Sequence, residues 1–359
     1  MSKRYGVPYK GSKNAIAKKI VGLLPEGRRL VEPFAGGCAV THCAMTMDRY
    51  PAYLVNDVDW RPVTLFRNAL EGAYRDEDRW ISREDFFRLK DSDPFVAACF
   101  SFGNNYKTYM YNAQLEPYKR AIHHIVFWND FAPMEELCPA VCPDIHAALD
   151  GVEDRAQRRL KLGKAVAEHV KAHGSVEYWQ SNPMFRSVTV KWTEARRGKS
   201  GDDLAGELQA AELDGHRSLE SQQRLESLQS IEFDGHRSLE SLERLQSLQS
   251  LERLQGLEGA GQQLEVNSKD YRELEYRYGD VVYCDPPYAG RDTYCSGDFD
   301  SAAFWEWART REFPVYVSEY EAPEDFAEVF AVEKRVDLHT DHAGLAVEKV
   351  FLHRKFVNE

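Results

Sequence analysis

The stretch Arg29-Leu30-Val31-Glu32-Pro33-Phe34-Ala35-Gly36-Gly37 sets the first limit on architecture, because it reads as a short apolar strand running into a glycine pair. A helix-compatible stretch follows from Cys38 to about Met47. A second strand, Ala52 to Asn56, then ends at Asp57, 21 residues beyond Gly36. Strand, glycine turn, helix and strand in that order describe a β-α-β unit. Glycines there let the backbone approach a small ligand closely. An acidic residue about 20 residues beyond such a turn is where the ribose diol of a nucleotide-type cofactor is held. The same pattern also fits an ordinary β-α-β turn with a capping aspartate, so the glycine pair needs support from elsewhere in the chain.

That support lies far downstream. The apolar run Val281-Val282-Tyr283-Cys284 ends in Asp285-Pro286-Pro287-Tyr288, which puts a carboxylate, a rigid turn and an aromatic ring at the mouth of a buried strand. In open α/β sheets, ligands bind outside the carboxyl ends of the strands. Two successive prolines remove two backbone donors, leaving carbonyls that can only accept. An amino group is the natural guest. The Asp285 carboxylate and the Pro286 carbonyl can accept both protons of an exocyclic NH2, and the Tyr288 ring offers a face on which a base can stack. The competing reading is a surface turn with an incidental aromatic.

Together these residues resemble the Dam-type family of DNA adenine-N6 methyltransferases. Pro8-Tyr9-Lys10-Gly11-Ser12-Lys13 is similar to the family's N-terminal cofactor motif, Glu32 to Gly37 to its S-adenosylmethionine loop, and Asp285 to Tyr288 to its catalytic motif. The resemblance covers roughly the first 60 and last 95 residues, and motif order agrees as well as motif content. It implies cofactor contacts from Tyr9, Lys10, Gly11, Lys13, Glu32, Pro33, Phe34, Ala35, Gly36, Gly37 and Asp57, and more weakly from Asp270 and Tyr271. It also implies a catalytic set of Asp285, Pro286, Pro287 and Tyr288. Val315 to Tyr320 and Glu348 to Leu352 resemble the family's last strands.

The fold expected is α/β, a Rossmann-like doubly wound sheet built from residues 1–65 and 262–359. A mostly helical target-recognition region would occupy 66–200, and 201–261 would be an insert. No run of about 18 apolar residues exists and the first residues are polar, which predicts a soluble, cytoplasmic protein without a membrane span. Seven scattered cysteines suit a reducing compartment. Cys138 and Cys142 lack a second Cys/His pair at finger-like spacing, so no metal is expected.

A net charge of −12 sits poorly with binding to double-stranded DNA, until its distribution is considered. Residues 201–260 carry thirteen acids and five arginines, a balance of −8, whereas residues 1–50 carry nine Lys or Arg against three acids. A further basic patch includes Arg186, Lys191, Arg196, Arg197 and Lys199. DNA is expected to meet the N-terminal part and the middle, with Arg196 and Arg197 on phosphates. The acidic stretch repeats Asp214-Gly215-His216-Arg217-Ser218-Leu219-Glu220-Ser221 at Asp234 to Ser241, then places leucine at every third position from Leu239 to Leu257. A three-residue step drifts around a helix, so no coiled-coil seam results. Composition leans to helix, and a low-complexity tract without chemistry is the plainer reading.

Between these segments, Ser82 is placed to cap a helix running through Lys90. The run Phe100 to Asn112 lacks helical periodicity and suits a loop reading nucleic acid. Asn104 and Asn105 would pair with base edges, Tyr106, Tyr109 and Tyr111 would stack, and Lys107 would meet phosphate. Its alternative is a loop of tyrosines packed on the core. Lys119 and Arg120 extend a basic helix that could track the backbone. The expected reaction is methyl transfer from S-adenosylmethionine to N6 of a flipped adenine. Cytosine-N4 transfer, RNA methylation, and an inert DNA-binding scaffold are the alternatives.

Overall fold

The computed structural model describes residues 5–173, 254, 263–288, 299–336 and 344–357. Arg186, Lys191, Arg196, Arg197, Lys199, Cys295 and the leucine repeat other than the buried Leu254 lie outside the described residues.

Seven strands make one mixed sheet: β1 (Arg29–Glu32), β2 (Ala52–Asn56), β3 (Gln263–Asn267), β4 (Asp280–Cys284), β5 (Val315–Glu319), β6 (Phe326–Val336) and β7 (Gly344–His353). Their order is β3-β2-β1-β4-β5-β7-β6. The first five run parallel, while β7 runs antiparallel to β5 and to β6. This is the doubly wound α/β sheet that the motif order predicts, closed at one edge by an antiparallel pair. Parallel strands buried on both faces read as continuous apolar runs, and Leu30, Val31, Leu54, Val55, Val282 and Val317 are all fully or almost fully buried.

The two strands from the start of the chain, β2 and β1, lie between β3 and β4 from its far end. Val31 on β1 lies opposite Leu54 on β2 and opposite Val282 on β4. The order reverses at β1 and β4, so the crevice between their carboxyl ends is the topological switch point where α/β sheets take ligands. At the opposite edge a buried ion cluster pins the same strands. Arg29 donates from Nε to Asp280 Oδ1 at 2.9 Å and from a terminal nitrogen to Asp280 Oδ2 at 2.7 Å. It also reaches the Glu275 carbonyl at 2.9 Å and Glu265 Oε2 at 3.3 Å. One guanidinium thus ties β1, β3 and β4 together.

Helices α1 (Ala17–Leu23), α2 (Ala39–Thr46) and α3 (Trp60–Leu70) follow the 3₁₀ turn at Lys13–Ala15, β1 and β2 in turn. Asp59 caps α3 by accepting from the Arg61 amide. Next come α4 (Arg83–Leu89) and α5 (Pro94–Cys99), the latter with Asp93 as its cap and proline at its first position. Ser82 does cap α4: its Oγ accepts from the Asp85 amide at 3.1 Å and donates to the Asp85 carboxylate at 2.9 Å. Later, α6 (Glu116–His123), α7 (Ala132–Leu137), α8 (Cys142–Leu149) and α9 (Arg155–His173) precede β3, and α10 (Ser301–Thr310) joins β4 to β5. Phe304, Trp305 and Trp307 of α10 pack in one core with Val31, Leu54, Val282 and Val317.

The chain divides into two compact units, one of residues 1–77, 88–107 and 247–359 and the other of residues 78–87 and 108–246. The sheet unit takes in more of the middle segment than the expected boundary at residue 65. The physical reason is apolar: Phe66, Ala69 and Tyr74 are buried, and Tyr74 stacks on Phe95 at 5.4 Å. The Tyr74–Phe95 stack joins residues 66–77 to α5, and the Phe66 ring meets His42 of α2 at 6.2 Å. The second unit, where described, is helical, with a core of Ile122, Ile125, Val126, Met134, Ile145, Leu149, Leu162 and Val166. Cys38, Cys43, Cys99, Cys138, Cys142 and Cys284 are all buried. Among the described residues no helix is long and apolar enough to cross a membrane.

Candidate active site

The segment after β1 turns sharply at Gly36, whose φ is +44°, and Cys38 enters α2 from the left-handed region. Asp57 holds this turn. Its Oδ2 accepts from the Gly36 amide at 2.9 Å and its Oδ1 from the Asp59 amide at 3.0 Å. The backbone beside it is tied down too, with the Ala35 amide donating to the Asn56 carbonyl at 2.8 Å. Asp57 therefore shapes the glycine turn through backbone bonds.

The N-terminal segment lies directly over that turn. The Val7 amide donates to the Gly37 carbonyl at 2.8 Å, and the Gly6 amide donates to Nδ1 of His42 on α2, also at 2.8 Å. Burial drives the His42 pKa down to about 4, which keeps Nδ1 free to accept. A Cβ on Gly36 would meet the Tyr9 ring at 2.7 Å, and one on Gly37 would meet Tyr9 Cβ and the Val7 carbonyl at 2.8 Å. Gly6 is the tightest point, with φ at +74° and a Cβ placed 2.2 Å from the Gly37 carbonyl oxygen. Gly6→Ala is accordingly expected to cost about 1–3 kcal/mol in stability from backbone strain. Chemical denaturation would check this, and a loss below about 0.5 kcal/mol would show that the two loops are free to part.

The acidic groups gather at the carboxyl ends of β1, β2 and β4. Glu32, at the end of β1, is buried and accepts from the Thr41 amide at 2.7 Å and from the Thr41 hydroxyl. Burial raises its pKa to about 8 against the lowering effect of Thr41, with the Asp285 charge adding to the rise. Asp57 is pushed up to about 7, first by burial and then by Asp59 and Asp285. The Asp285 charge thus opposes the ionisation of both Glu32 and Asp57.

Asp285 follows β4 and meets Lys13, from the 3₁₀ turn, at 2.7 Å between Oδ1 and Nζ. Lys13 Nζ also lies 3.1 Å from Glu348 Oε1 and 2.6 Å from the Tyr288 hydroxyl. The Tyr288 hydroxyl in turn bonds Glu348 and lies 3.2 Å from Asp285 Oδ1. Burial works against the Lys13 charge, yet Asp285 and Glu348 outweigh it and hold the ammonium above the ordinary lysine range. Asp285 is raised by burial first; Lys13 opposes the rise and Glu348 adds to it. Glu348 escaped the residue-level reading of the sequence. Its signal was a carboxylate inside the strand-like run Val347-Glu348-Lys349-Val350-Phe351-Leu352. Because β7 runs antiparallel, its early residues lie beside the end of β5, with Lys349 opposite Glu319. That topology carries Glu348 to the carboxyl edge.

Other sequence candidates are placed differently. Asp270 binds Arg272 through both oxygens at 2.7 Å. Tyr271 is buried against Phe34 at 5.1 Å and Trp307 at 5.0 Å, so both rings serve core packing in this structure. In the Phe100–Asn112 segment the tyrosines point to packing and away from base stacking. Tyr106 is 1 % exposed and donates its hydroxyl to the Pro8 carbonyl at 2.9 Å. Tyr109, also buried, donates to the Ile81 carbonyl at 2.8 Å. Tyr111 stacks on Trp80 at 5.7 Å, and the buried Lys119 lies over its ring at 5.8 Å. Lack of helical period signalled irregular backbone, but each buried phenol found a carbonyl or ring inside the fold. Asn104 and Asn105 are half-buried, while Lys107 and Arg120 are exposed. The Asn104 carbonyl accepts from the Lys10 amide at 3.2 Å, which ties this loop to the N-terminal segment.

A strand order that folds both chain ends into one sheet, with Asp285 and the glycine turn on adjacent strand ends, is the arrangement the motifs required. Residues 9–122 match the D12 class N6 adenine-specific DNA methyltransferase family. The Dam-type resemblance of the motifs agrees with this match. A DNA adenine methylase of retron Ec67 from Escherichia coli is 46% identical over 57 residues, which is 16% of this chain and 19% of that protein. The chain thus aligns with about a fifth of that relative's length. The D12-class match begins at Tyr9 over the glycine turn and ends at Ile122 on α6. Glu32 to Gly37, Asp57 and the Asn104 loop lie inside it. Asp285, Tyr288 and Glu348 lie outside it, and their assignment rests on geometry.

Proposed function

We propose that the protein transfers a methyl group from S-adenosylmethionine to N6 of an adenine in double-stranded DNA. The observation that carries the proposal is Asp285, a carboxylate at the end of β4 beside the glycine turn that follows β1. Gly36, Gly37 and the N-terminal segment with Tyr9, Lys10 and Gly11 would enclose the cofactor, with Asp57 ordering the turn. Pro33, Phe34 and Ala35 connect β1 to that turn. The cofactor supplies an electrophilic methyl on a sulfonium.

Adenine N6 is a poor nucleophile, since its lone pair is delocalised into the ring, and inside a duplex it is out of reach. The base is flipped out against Tyr288. The Asp285 carboxylate and the Pro286 carbonyl accept the two N6 protons and draw the nitrogen toward tetrahedral geometry, while Pro287 keeps the turn rigid. The N6 lone pair freed in this way would be aimed by Asp285 and Pro286 at the methyl that a bound cofactor would supply, and the proton released from N6 on transfer would leave by way of the Asp285 carboxylate to water. Orientation and electrostatics supply the acceleration. Lys107 and Arg120 are exposed cations suited to phosphate, and Asn104 and Asn105 remain the candidates for base edges.

Labelled methyl donor, incubated with unmethylated duplex DNA and separately with RNA, tests the reading. Label in duplex DNA is expected. Label in RNA alone, or in neither, refutes it.

The carboxylates also predict a pH effect on the cofactor. Glu32 and Asp57 hold protons up to about pH 8 and pH 7 in the free protein, and a sulfonium favours their ionised forms. Affinity for S-adenosylmethionine should rise between pH 6.5 and 8.5 more steeply than affinity for S-adenosylhomocysteine, which lacks only the sulfonium charge and methyl. Parallel calorimetric titrations would show it. Equal slopes would place these carboxylates away from the sulfur.

A further inference from the structure

Glu348 is the one carboxylate of the Asp285 cluster that the proposed chemistry leaves unused. It is 5% exposed on β7, yet it lies 3.1 Å from Lys13 Nζ and bonds the Tyr288 hydroxyl. A carboxylate at a central strand position carries a large desolvation cost unless something demands its charge. Two groups demand it here, and both also touch Asp285 Oδ1, Lys13 at 2.7 Å and Tyr288 at 3.2 Å. Among the described residues Asp285 Oδ2 takes no hydrogen bond. The cluster is thus lopsided, with one carboxylate oxygen saturated from the Glu348 side and the other open.

Chemistry at an amino group needs that asymmetry. Asp285 must accept a proton from the substrate nitrogen through one oxygen while its plane is fixed through the other. If Lys13 were free, its ammonium could swing to either oxygen and compete with the amino group for the acceptor. Glu348 gives Lys13 a second anionic partner, and the Tyr288 hydroxyl a strong acceptor. These bonds hold both groups to one side of Asp285.

We propose that Glu348 is a positioning residue for the methyl-transfer site: it anchors Lys13 and the Tyr288 hydroxyl so that Asp285 presents one oxygen to the substrate amino group. This rests on the reading of the site as an amino-group methyltransferase. Glu348 itself touches no reacting atom. Its influence reaches the substrate through Asp285 and through the tilt of the Tyr288 ring, which also meets Tyr320 edge-on at 4.8 Å.

The groups facing Asp285 define a pH signature. Lys13 comes from the 3₁₀ turn, Tyr288 from the same loop, Glu348 from β7, and the carboxylates of Glu32 and Asp57 from the ends of β1 and β2. Glu348 raises the Asp285 carboxyl, so removing its charge should let Asp285 ionise at lower pH. A residue that only packs β7 would leave that titration where it was.

Single-turnover methyl transfer to duplex DNA, measured from pH 5.5 to 9 for the full-length wild type, Glu348→Gln and Glu348→Asp, tests the inference. Glu348→Gln should lower the transfer rate about 100-fold, the scale expected when a reacting group is displaced by about an ångström. Its cofactor affinity should stay close to wild type, and the acidic limb of its rate profile should move to lower pH. Glu348→Asp, which restores the charge one methylene shorter, should recover part of the rate and return the limb toward wild type. An active wild type with a Glu348→Gln variant of unchanged rate and limb would overturn the inference alone. So would a rate loss that Glu348→Asp does not relieve, accompanied by an unmoved limb. A wild type that transfers no methyl group to DNA would overturn the underlying reading and the inference with it. Should Glu348→Gln fail to bind cofactor, Glu348→Asp carries the comparison through its own rate and limb.

Discussion

Asp285→Ala is expected to lower methyl transfer at least about 10³-fold, the upper end of what removing one preorganised electrostatic partner costs, while leaving S-adenosylmethionine binding largely intact. The two effects separate because of where Asp285 sits. Its oxygen contacts Lys13 and Tyr288 at the end of β4, whereas the glycine turn is held by Asp57, Asn56 and the N-terminal segment. Removing Asp285 also spares the fold, because Lys13 keeps Glu348 as a partner and is not left as an isolated buried charge. Asp285→Asn is a sharper form of the same experiment. It keeps a carbonyl acceptor and loses the anion, so an intermediate loss would apportion the effect between hydrogen bonding and charge. Single-turnover rates alongside calorimetric cofactor titration measure both. A variant that transfers methyl groups at the wild-type rate would remove Asp285 from the chemistry.

The largest stability effect is expected at the other edge of the sheet. Arg29→Ala removes the cation from the Asp280 carboxylate, whose side chain is 3% exposed and receives two bonds from that guanidinium, leaving only the Arg277 amide, at 2.7 Å, as its donor among the described residues. Breaking a buried ion pair by removing one partner costs about 3–5 kcal/mol. Here the loss also frees the Glu275 carbonyl and weakens the join of β1 to β3 and β4. Replacing both partners with apolar residues, Arg29→Met with Asp280→Leu, should recover much of the loss, since the penalty lies in the uncompensated charge. Urea unfolding of the single and double variants gives the comparison. A cost below about 1 kcal/mol for Arg29→Ala would mean that the pair behaves as a solvated surface bridge.

Much of this architecture was legible from residue pattern. Ala52–Asn56 is both the expected and the observed second strand, and Ser82 caps the helix it was expected to cap. The Asp285 and glycine motifs announced themselves because proline pairs and glycine pairs have few purposes at strand ends. What escaped has a common cause. Glu348 reaches the site because β7 reverses direction, and strand direction is a property of the whole sheet. Tyr106, Tyr109 and Tyr111 looked like a base-reading set because aromatic and amide composition cannot distinguish a phenol facing DNA from one bonded to an internal carbonyl. Tyr74 and Phe95 likewise stack on each other from positions 21 residues apart in sequence, a contact no local pattern announces. His42 gave no pattern at all. Its importance depends on the Gly6 amide arriving at its ring.

The central claim is that Asp285 and Pro286 grip the amino group of an extruded adenine beside a sulfonium donor. Its most direct test is the chemical identity of the product. Duplex DNA treated with the full-length protein and S-adenosylmethionine, then digested to nucleosides and resolved by mass spectrometry, should contain N6-methyl-2′-deoxyadenosine, formed about 10³-fold more slowly by Asp285→Ala. N4-methyl-2′-deoxycytidine in its place, or adenine methylation that persists undiminished in Asp285→Ala, would contradict it.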